Sequence, residues 1–389
     1  MLQQLPSGFR LQSGAAAEVL AKNRAKMEEG KLVSHTYHME GGDGPYSYAK
    51  NSSYQREAVD SIKEMMNELI AQHLDLGNLY SFRVADFGCS VGPNTFSAVQ
   101  NIIEAVVNKY KSQGMESQIP EFHVFFNDHA ENDFNTLFRN LPTTRGYFPA
   151  GVPGSFHRRL LPSSTLYFAH CSTALHWLSK IPKEVMDKNC PAWNKGRIHY
   201  AGAAKDVEEA YSTQFGKDLD SFLSARAQEL VPGGLLTLVT LGFPDGVQVS
   251  DSSMGESFNI LGSCFQDMVE EGAIVEELVD SFNLPFYYPS LSELKSLIEV
   301  NGLFDIKRLE KLAAPVRREK PDLAVCTLHL RAIIGGLIKE HFGEGIIDNF
   351  FERHAKKFVE NPIISDERYF KEASFFVFLK RNTTLQCNH

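Results

Sequence analysis

Short apolar runs alternate with longer stretches of helical period along the first two thirds of the chain. Phe82 to Phe87, Phe122-His123-Val124-Phe125-Phe126, Leu166-Tyr167-Phe168-Ala169 and Leu235 to Leu241 read as strands, the last fully buried. Phe96, Val99, Ile102, Ile103, Ala105 and Val106 fall on a 3.6-residue period, which predicts a helix over 95–109. Helices are also predicted over 55–75 and 205–230, the latter closed by Pro232-Gly233-Gly234. Repeated strand–helix alternation predicts an α/β chain with a doubly wound, mostly parallel sheet.

The texture changes after residue 242. Residues 243–300 are mainly helical in pattern and rich in acid, with Glu270, Glu271, Glu276 and Glu277, and 312–366 are helical again. Phe304 to Leu309 and Phe375 to Leu379 read as closing strands. The expected organisation is one α/β domain over 37–241, 301–311 and 367–381, with 242–300 and 312–366 as a helical cap. Residues 1–36 form an extension expected to be detachable, with Met27 as a candidate start. Its Glu18, Glu28 and Glu29 count against an organellar transit peptide.

The 389 residues are 43% hydrophobic and 22% charged, enough for one large core plus a cap. A net charge of -9 without a basic stripe argues against nucleic acid. No apolar run approaches the roughly 20 residues of a bilayer span, so no membrane partner is expected. Six scattered cysteines with no Cys-x-x-Cys pair fit reduced thiols and a cytoplasmic setting.

The sharpest local signal is Asp86-Phe87-Gly88-Cys89-Ser90-Val91-Gly92, a glycine turn between the first strand and its helix. Gly88 and Gly92 allow close approach of a ligand, and the following helix start offers free N–H groups. The turn is not Gly-x-Gly-x-x-Gly, and no Gly-Lys-Ser/Thr follows, so neither a dinucleotide nor a Walker loop is indicated. An acid at a strand end followed by Gly-Cys-Ser-x-Gly resembles the S-adenosylmethionine site of class I methyltransferases. That ligand has no phosphate, and an acid suits its ammonium and sulfonium charges.

Two further strand ends carry polar groups where ligands of open α/β sheets sit. Asp128 reads as an acceptor for ribose hydroxyls or as a turn acid. His170-Cys171-Ser172 ends another strand, near where a transferred group would lie. In Leu175-His176-Trp177-Leu178-Ser179, Trp177 is one of two tryptophans. Its indole N–H donates and cannot accept, which suits a carboxylate; the alternative is a core tryptophan with His176 facing solvent. The polar, aromatic segment Tyr46 to Gln55 precedes a helix, with Ser52 or Ser53 as its cap.

Many ordered motifs together resemble the plant SABATH methyltransferases. They are Gly41-Gly42-Asp43-Gly44, Ser47-Tyr48-Ala49-Lys50-Asn51-Ser52 with Gln55, and Ala85 to Asn94. Phe126-Asn127-Asp128 with Asn132 to Asn135, Val152 to Phe156 and Leu175 to Ser179 continue the likeness. Asn194-Lys195-Gly196-Arg197-Ile198 and Asp280 to Pro285 extend it, so that it spans roughly 37–381. The resemblance implies a class I methyltransferase fold and methyl transfer from S-adenosylmethionine to small acids such as salicylate, jasmonate, indole acetate, gibberellins or loganic acid. A branch of the family methylates xanthine nitrogens, and members are usually homodimers.

The resemblance also implies roles. Tyr48, Ser52, Asp86, Gly88, Cys89, Asn94, Asp128, His129, Ser155 and Phe156 match cofactor contacts, with Cys171 and Ser172 at the methionine end. Gln55, His176 and Trp177 match substrate contacts, Gln55 and Trp177 as a carboxylate tweezer. Asn194, Asp280, Phe282 and Asn283 match a magnesium site of some members, and their oxygens suit a hard cation. Thr173 stands where several relatives place Tyr, and His129 where many place Leu. The smaller, polar Thr173 is expected to enlarge or wet the substrate pocket.

The implied reaction forms a methyl ester. A carboxylate is already ionised at neutral pH, so it needs placement and no general base. The alternatives are N-methylation of a xanthine alkaloid, with His176 on the ring, and a non-catalytic ligand-binding protein on the same fold.

Overall fold

The computed structural model describes residues 38–77, 79–312 and 322–383. The extension over 1–36, Met27 included, lies outside the described residues. Seven strands form one sheet in the order β3-β2-β1-β4-β5-β7-β6. They are β1 (Ser81–Phe87), β2 (Glu121–Asp128), β3 (Tyr147–Pro153), β4 (Leu166–Ser172), β5 (Leu230–Gly242), β6 (Phe304–Lys311) and β7 (Ala373–Arg381). Five strands run parallel, and β7 inserts antiparallel between β5 and β6. The four apolar runs expected as strands lie in β1, β2, β4 and β5, and the two closing strands are β6 and β7.

Three local expectations differ from the structure. β3 gives no strand signal because Pro149, Gly151 and Pro153 interrupt it, which its place as the outer strand allows: four of its seven residues are exposed, and only Tyr147 is buried. The helix expected over 55–75 is two helices, α1 (Ser53–Ser61) and α2 (Lys63–His73), which part at Ile62. Pro232-Gly233-Gly234 lies within β5 and does not close a helix; α5 (Lys205–Glu229) has ended before it.

The helix after β1 is α3 (Asn94–Ser112) and the short one after β2 is α4 (Phe134–Arg139). Strand side chains alternate between faces. Phe82, Val84, Phe168, Val239, Phe376 and Phe378 pack with Val99, Ile102 and Val106 of α3. Ala85, Phe87, Ala169, Leu236 and Leu238 pack on the other face with Phe215, Leu219 and Phe222 of α5. That second cluster continues into the later helices α6 (Ser253–Glu270), α7 (Glu276–Asp280), α8 (Leu291–Asn301), α9 (Leu323–Phe342) and α10 (Ile347–Glu360). Phe265 of α6 lies 4.4 Å from the rings of both Phe342 and Phe350. No helix among the described residues is long and apolar enough to cross a membrane.

From β1 the chain steps outward to β2 and β3, then returns to β4 on the other side of β1. This reversal opens a crevice beyond the carboxyl ends of β1 and β4, where Asp86 stands opposite His170.

Candidate active site

The glycine turn after β1 is set by the protein's own packing. Gly88 and Gly92 have φ of 82° and 81°, a left-handed backbone that disfavours a side chain. A Cβ on Gly88 would come within 2.6 Å of Ala174 Cβ, and one on Gly92 within 2.7 Å of the Phe96 ring. β2 holds the turn in place. Gly88 and Cys89 N–H donate to the Asn127 carbonyl at 2.9 and 3.0 Å, and Ser90 N–H donates to Asp128 Oδ2 at 2.7 Å.

Asp128 takes a second backbone N–H, from His129, on Oδ1 at 2.8 Å. Burial raises its carboxyl pKa, opposed by these donors and by the nearby His129. A carboxylate has about four acceptor sites, so two donors leave capacity for a ligand hydroxyl. Asp86 is also buried, and that burial pushes it up to about 7 although the Thr95 hydroxyl donates to it.

The crevice has two lobes that share Tyr48, Gly88, Ser172 and Thr173. One is lined by Gln55, Asp86, Cys89, Asn94 and His170. The other is lined by Ser90, Asp128, His129, Phe156 and Trp177. Thr173, at the junction, has a φ of 51°, an uncommon conformation for a β-branched residue, and its N–H donates to the Val239 carbonyl at 2.7 Å.

This donor set fits S-adenosylmethionine. One lobe offers the acid Asp128 and the aromatic wall of Phe156 to an adenosine. The other offers Asp86 to an ammonium. Among the described residues, both ring nitrogens of buried His170 and the hydroxyls of Ser90 and Ser172 have no hydrogen-bond partner, so the pocket walls present unused polar atoms.

Several expected residues are placed differently. Ser52 stands at the start of α1 without capping it; its Oγ and carbonyl each accept from Asn94 Nδ2 at 3.0 Å. Cys171 does not line the crevice, because its side chain packs in the core on the face opposite His170 and Ser172. Ser155 does not line it either. His176 neither faces solvent nor lines the crevice. Its ring stacks on Tyr288 at 5.6 Å, and burial pushes its pKa down to about 3. Trp177 packs edge-on against Phe286 at 4.4 Å.

The four residues matched to a metal site come together away from the crevice. Asn194 Nδ2 donates to Asn283 Oδ1 at 2.8 Å, and Asp280 Oδ1 accepts from Gly196 N–H at 3.0 Å. The Phe282 ring packs on Phe265, and with no oxygen in its side chain it could offer a metal only its carbonyl. Asn194 Oδ1 is buried with no partner among the described residues. The set carries one acid, and among the described residues no group of three or more His, Cys, Asp or Glu could hold a metal.

The structure adds residues that the sequence did not single out. Met39 and His157 line the second lobe. Arg226 and Glu229, both fully buried, clamp the loop that carries Phe156. His329 of α9 contacts Gln55. Their only sequence signal is residue type, since an i,i+3 Arg/Glu pair looks like any exposed helical pair.

A family model described as SAM dependent carboxyl methyltransferase matches residues 34–382. Loganic acid O-methyltransferase of Catharanthus roseus is 49% identical over 350 residues, 88% of this chain and 94% of that protein. Farnesoic acid carboxyl-O-methyltransferase of Arabidopsis thaliana is 43% identical over 354 residues, 90% of this chain and all of that protein. Among solved structures, a loganic acid methyltransferase with SAH superposes with a TM-score of 0.86 at 47% identity, covering 90% of this chain and 100% of that one.

Proposed function

The chain belongs to the S-adenosylmethionine-dependent carboxyl methyltransferases, and from that premise we propose that it forms the methyl ester of a small plant carboxylic acid. The observation that carries this reading is the crevice itself. Gln55 lines one lobe and Trp177 the other, with Thr173 at the junction. Burial holds His170 down at about 4, so it is neutral in use.

The residues supply placement. Asp128 would accept the ribose hydroxyls of the cofactor, Phe156 would wall its adenine, and Asp86 would face its ammonium. When bound, the cofactor supplies an electrophilic methyl group. The Gln55 amide and the Trp177 indole would donate to the acid and orient one carboxylate oxygen towards that methyl. Neither donor is acidic enough to protonate a carboxylate, so the nucleophile stays ionised. Thr173, smaller than Tyr, would leave room beside the acid.

The finer assignments are of the same kind. A magnesium ion held by Asn194, Asp280, Asn283 and the Phe282 carbonyl would brace the loops that meet there; the unpartnered Asn194 Oδ1 supports it. A homodimer follows from the family resemblance. The buried thiols of Cys89, Cys171 and Cys264, none of them in a disulfide, support a reducing, cytoplasmic setting.

A radiolabelled methyl-transfer screen over plant acids and xanthines tests the reading. Turnover of one or more acids, with base-labile product, is expected. Methylation of a xanthine with no acid accepted would overturn it.

A further inference from the structure

A grip on a carboxylate needs one orientation of the Gln55 amide, because a flipped amide turns an oxygen towards the anion. Gln55 is a long, flexible side chain on α1, buried in the first lobe. Its Oε1 has no hydrogen-bond partner among the described residues, so nothing on that side resists a flip. Its Nε2 lies 3.4 Å from Nε2 of His329, at the long end of hydrogen-bond range.

His329 sits on α9, 274 residues away in sequence. Its Nδ1 is 2.5 Å from the carbonyl oxygen of Asn51. A carbonyl only accepts, so Nδ1 carries the proton. Burial lowers the pKa of this ring, which keeps it neutral. A neutral imidazole with its proton on Nδ1 has only a lone pair at Nε2. Gln55 must then offer that nitrogen an N–H and not its oxygen.

We propose that His329 is a positioning residue for the methyl transfer, fixing the Gln55 amide so that its second N–H is presented to the substrate carboxylate. The inference rests on the reading of Gln55 as a substrate donor. It follows from a chain of three groups, the Asn51 carbonyl, the His329 ring and the Gln55 amide, each of which leaves the next one choice. The chain also ties α9 to α1, so a helix from the last third of the sequence sets the orientation of the grip.

The substitutions that test this separate the two ends of the ring. His329→Asn keeps an N–H where Nδ1 stood, able to reach the Asn51 carbonyl, and loses the contact to Gln55. His329→Gln keeps an acceptor where Nε2 stood. Kinetics would be measured on loganic acid, salicylate, jasmonate and indole acetate in parallel, with melting temperature and S-adenosylhomocysteine affinity as controls. The expected result for H329N is a KM for the acid raised about tenfold, the size of one hydrogen bond to a charged group. Its kcat and S-adenosylhomocysteine affinity should stay near wild type, and H329Q should recover most of the loss.

In a Gln55→Ala background, H329N should add nothing, because the two act through one amide. If H329N costs as much there as in the wild type, His329 does not act through Gln55 and the proposal is overturned. An impaired Q55A beside a wild-type H329N overturns the proposal alone. A wild-type Q55A overturns the substrate role of Gln55, and the proposal with it. Should H329N fail to fold, His329→Met, which fills the space without a polar atom, is read in the same cycle.

Discussion

The loop that carries Phe156 depends on an ion pair wholly out of contact with water, and Arg226→Met measures how much. Arg226 donates from Nε to Glu229 Oε2 at 2.8 Å, from Nη1 to the Phe156 carbonyl at 2.7 Å and from Nη2 to the Arg158 carbonyl at 3.0 Å. Its guanidinium lies 3.9 Å from the centre of the Phe87 ring. Glu229 in turn accepts from the N–H groups of Leu160 and Leu161 through Oε1. Methionine keeps much of the apolar stem but leaves a buried carboxylate without its cation and two carbonyls without donors. Removing one partner of a buried pair costs about 3–5 kcal/mol. At about 2 °C per kcal/mol for a chain of this size, the melting temperature should fall by roughly 6–10 °C. Because the freed loop holds the adenine wall, S-adenosylhomocysteine should also bind at least about tenfold more weakly, a loss of about 1.4 kcal/mol. Differential scanning fluorimetry and calorimetric titration read the two effects. An R226M protein that melts and binds as the wild type does would refute the clamp.

Asp86 makes the ligand-free protein sensitive to pH. Burial pushes its carboxyl from the ordinary 3.8 up to about 7 in the folded protein, so the folded state holds the extra proton between those values. Stability should therefore fall as pH rises from about 4 to about 7, and the Asp86→Asn protein should show less of that slope in thermal melts. An ammonium beside Asp86 favours its ionised form, so titrating S-adenosylmethionine at pH 6 should release protons; a binding heat that does not change between buffers of different ionisation enthalpy would contradict this. Asp128→Ala removes the acceptor for two backbone N–H groups as well as the ribose partner, and should weaken S-adenosylhomocysteine binding by at least tenfold, about 1.5–3 kcal/mol. Trp177→Phe and Gln55→Ala should each lower kcat/KM on the accepted acid by about ten- to a hundredfold. Their S-adenosylhomocysteine affinity should hold, and a mild Trp177→Phe beside xanthine turnover would point to the other branch of the family.

The sequence alone determined the elements whose signal is their own burial. β1, β4 and β5 are largely buried on both faces, and β2 is buried on one and half-buried on the other, so each left an apolar run that no surface segment imitates. Asp86 and Asp128 were legible because a polar residue ending such a run has few places to go but a strand-end crevice. β3 left no strand signal, since an edge strand has one open side and tolerates glycine and proline. The tertiary structure decided the pairings. Gly88 and Gly92 are held to glycine by Ala174 and Phe96 as much as by any ligand. Ser172 reaches the crevice while Cys171 turns into the core, which depends on the side of the sheet that faces α5. Arg226 and Glu229 look like a surface pair until the loop of Phe156 folds over them. His329 meets Gln55 only because the chain returns α9 over α1 after building the whole sheet. A periodicity records what each residue is shielded from averaged over its neighbours in sequence. Which distant atom does the shielding is fixed by strand order and chain return, and those exist only once the molecule is closed.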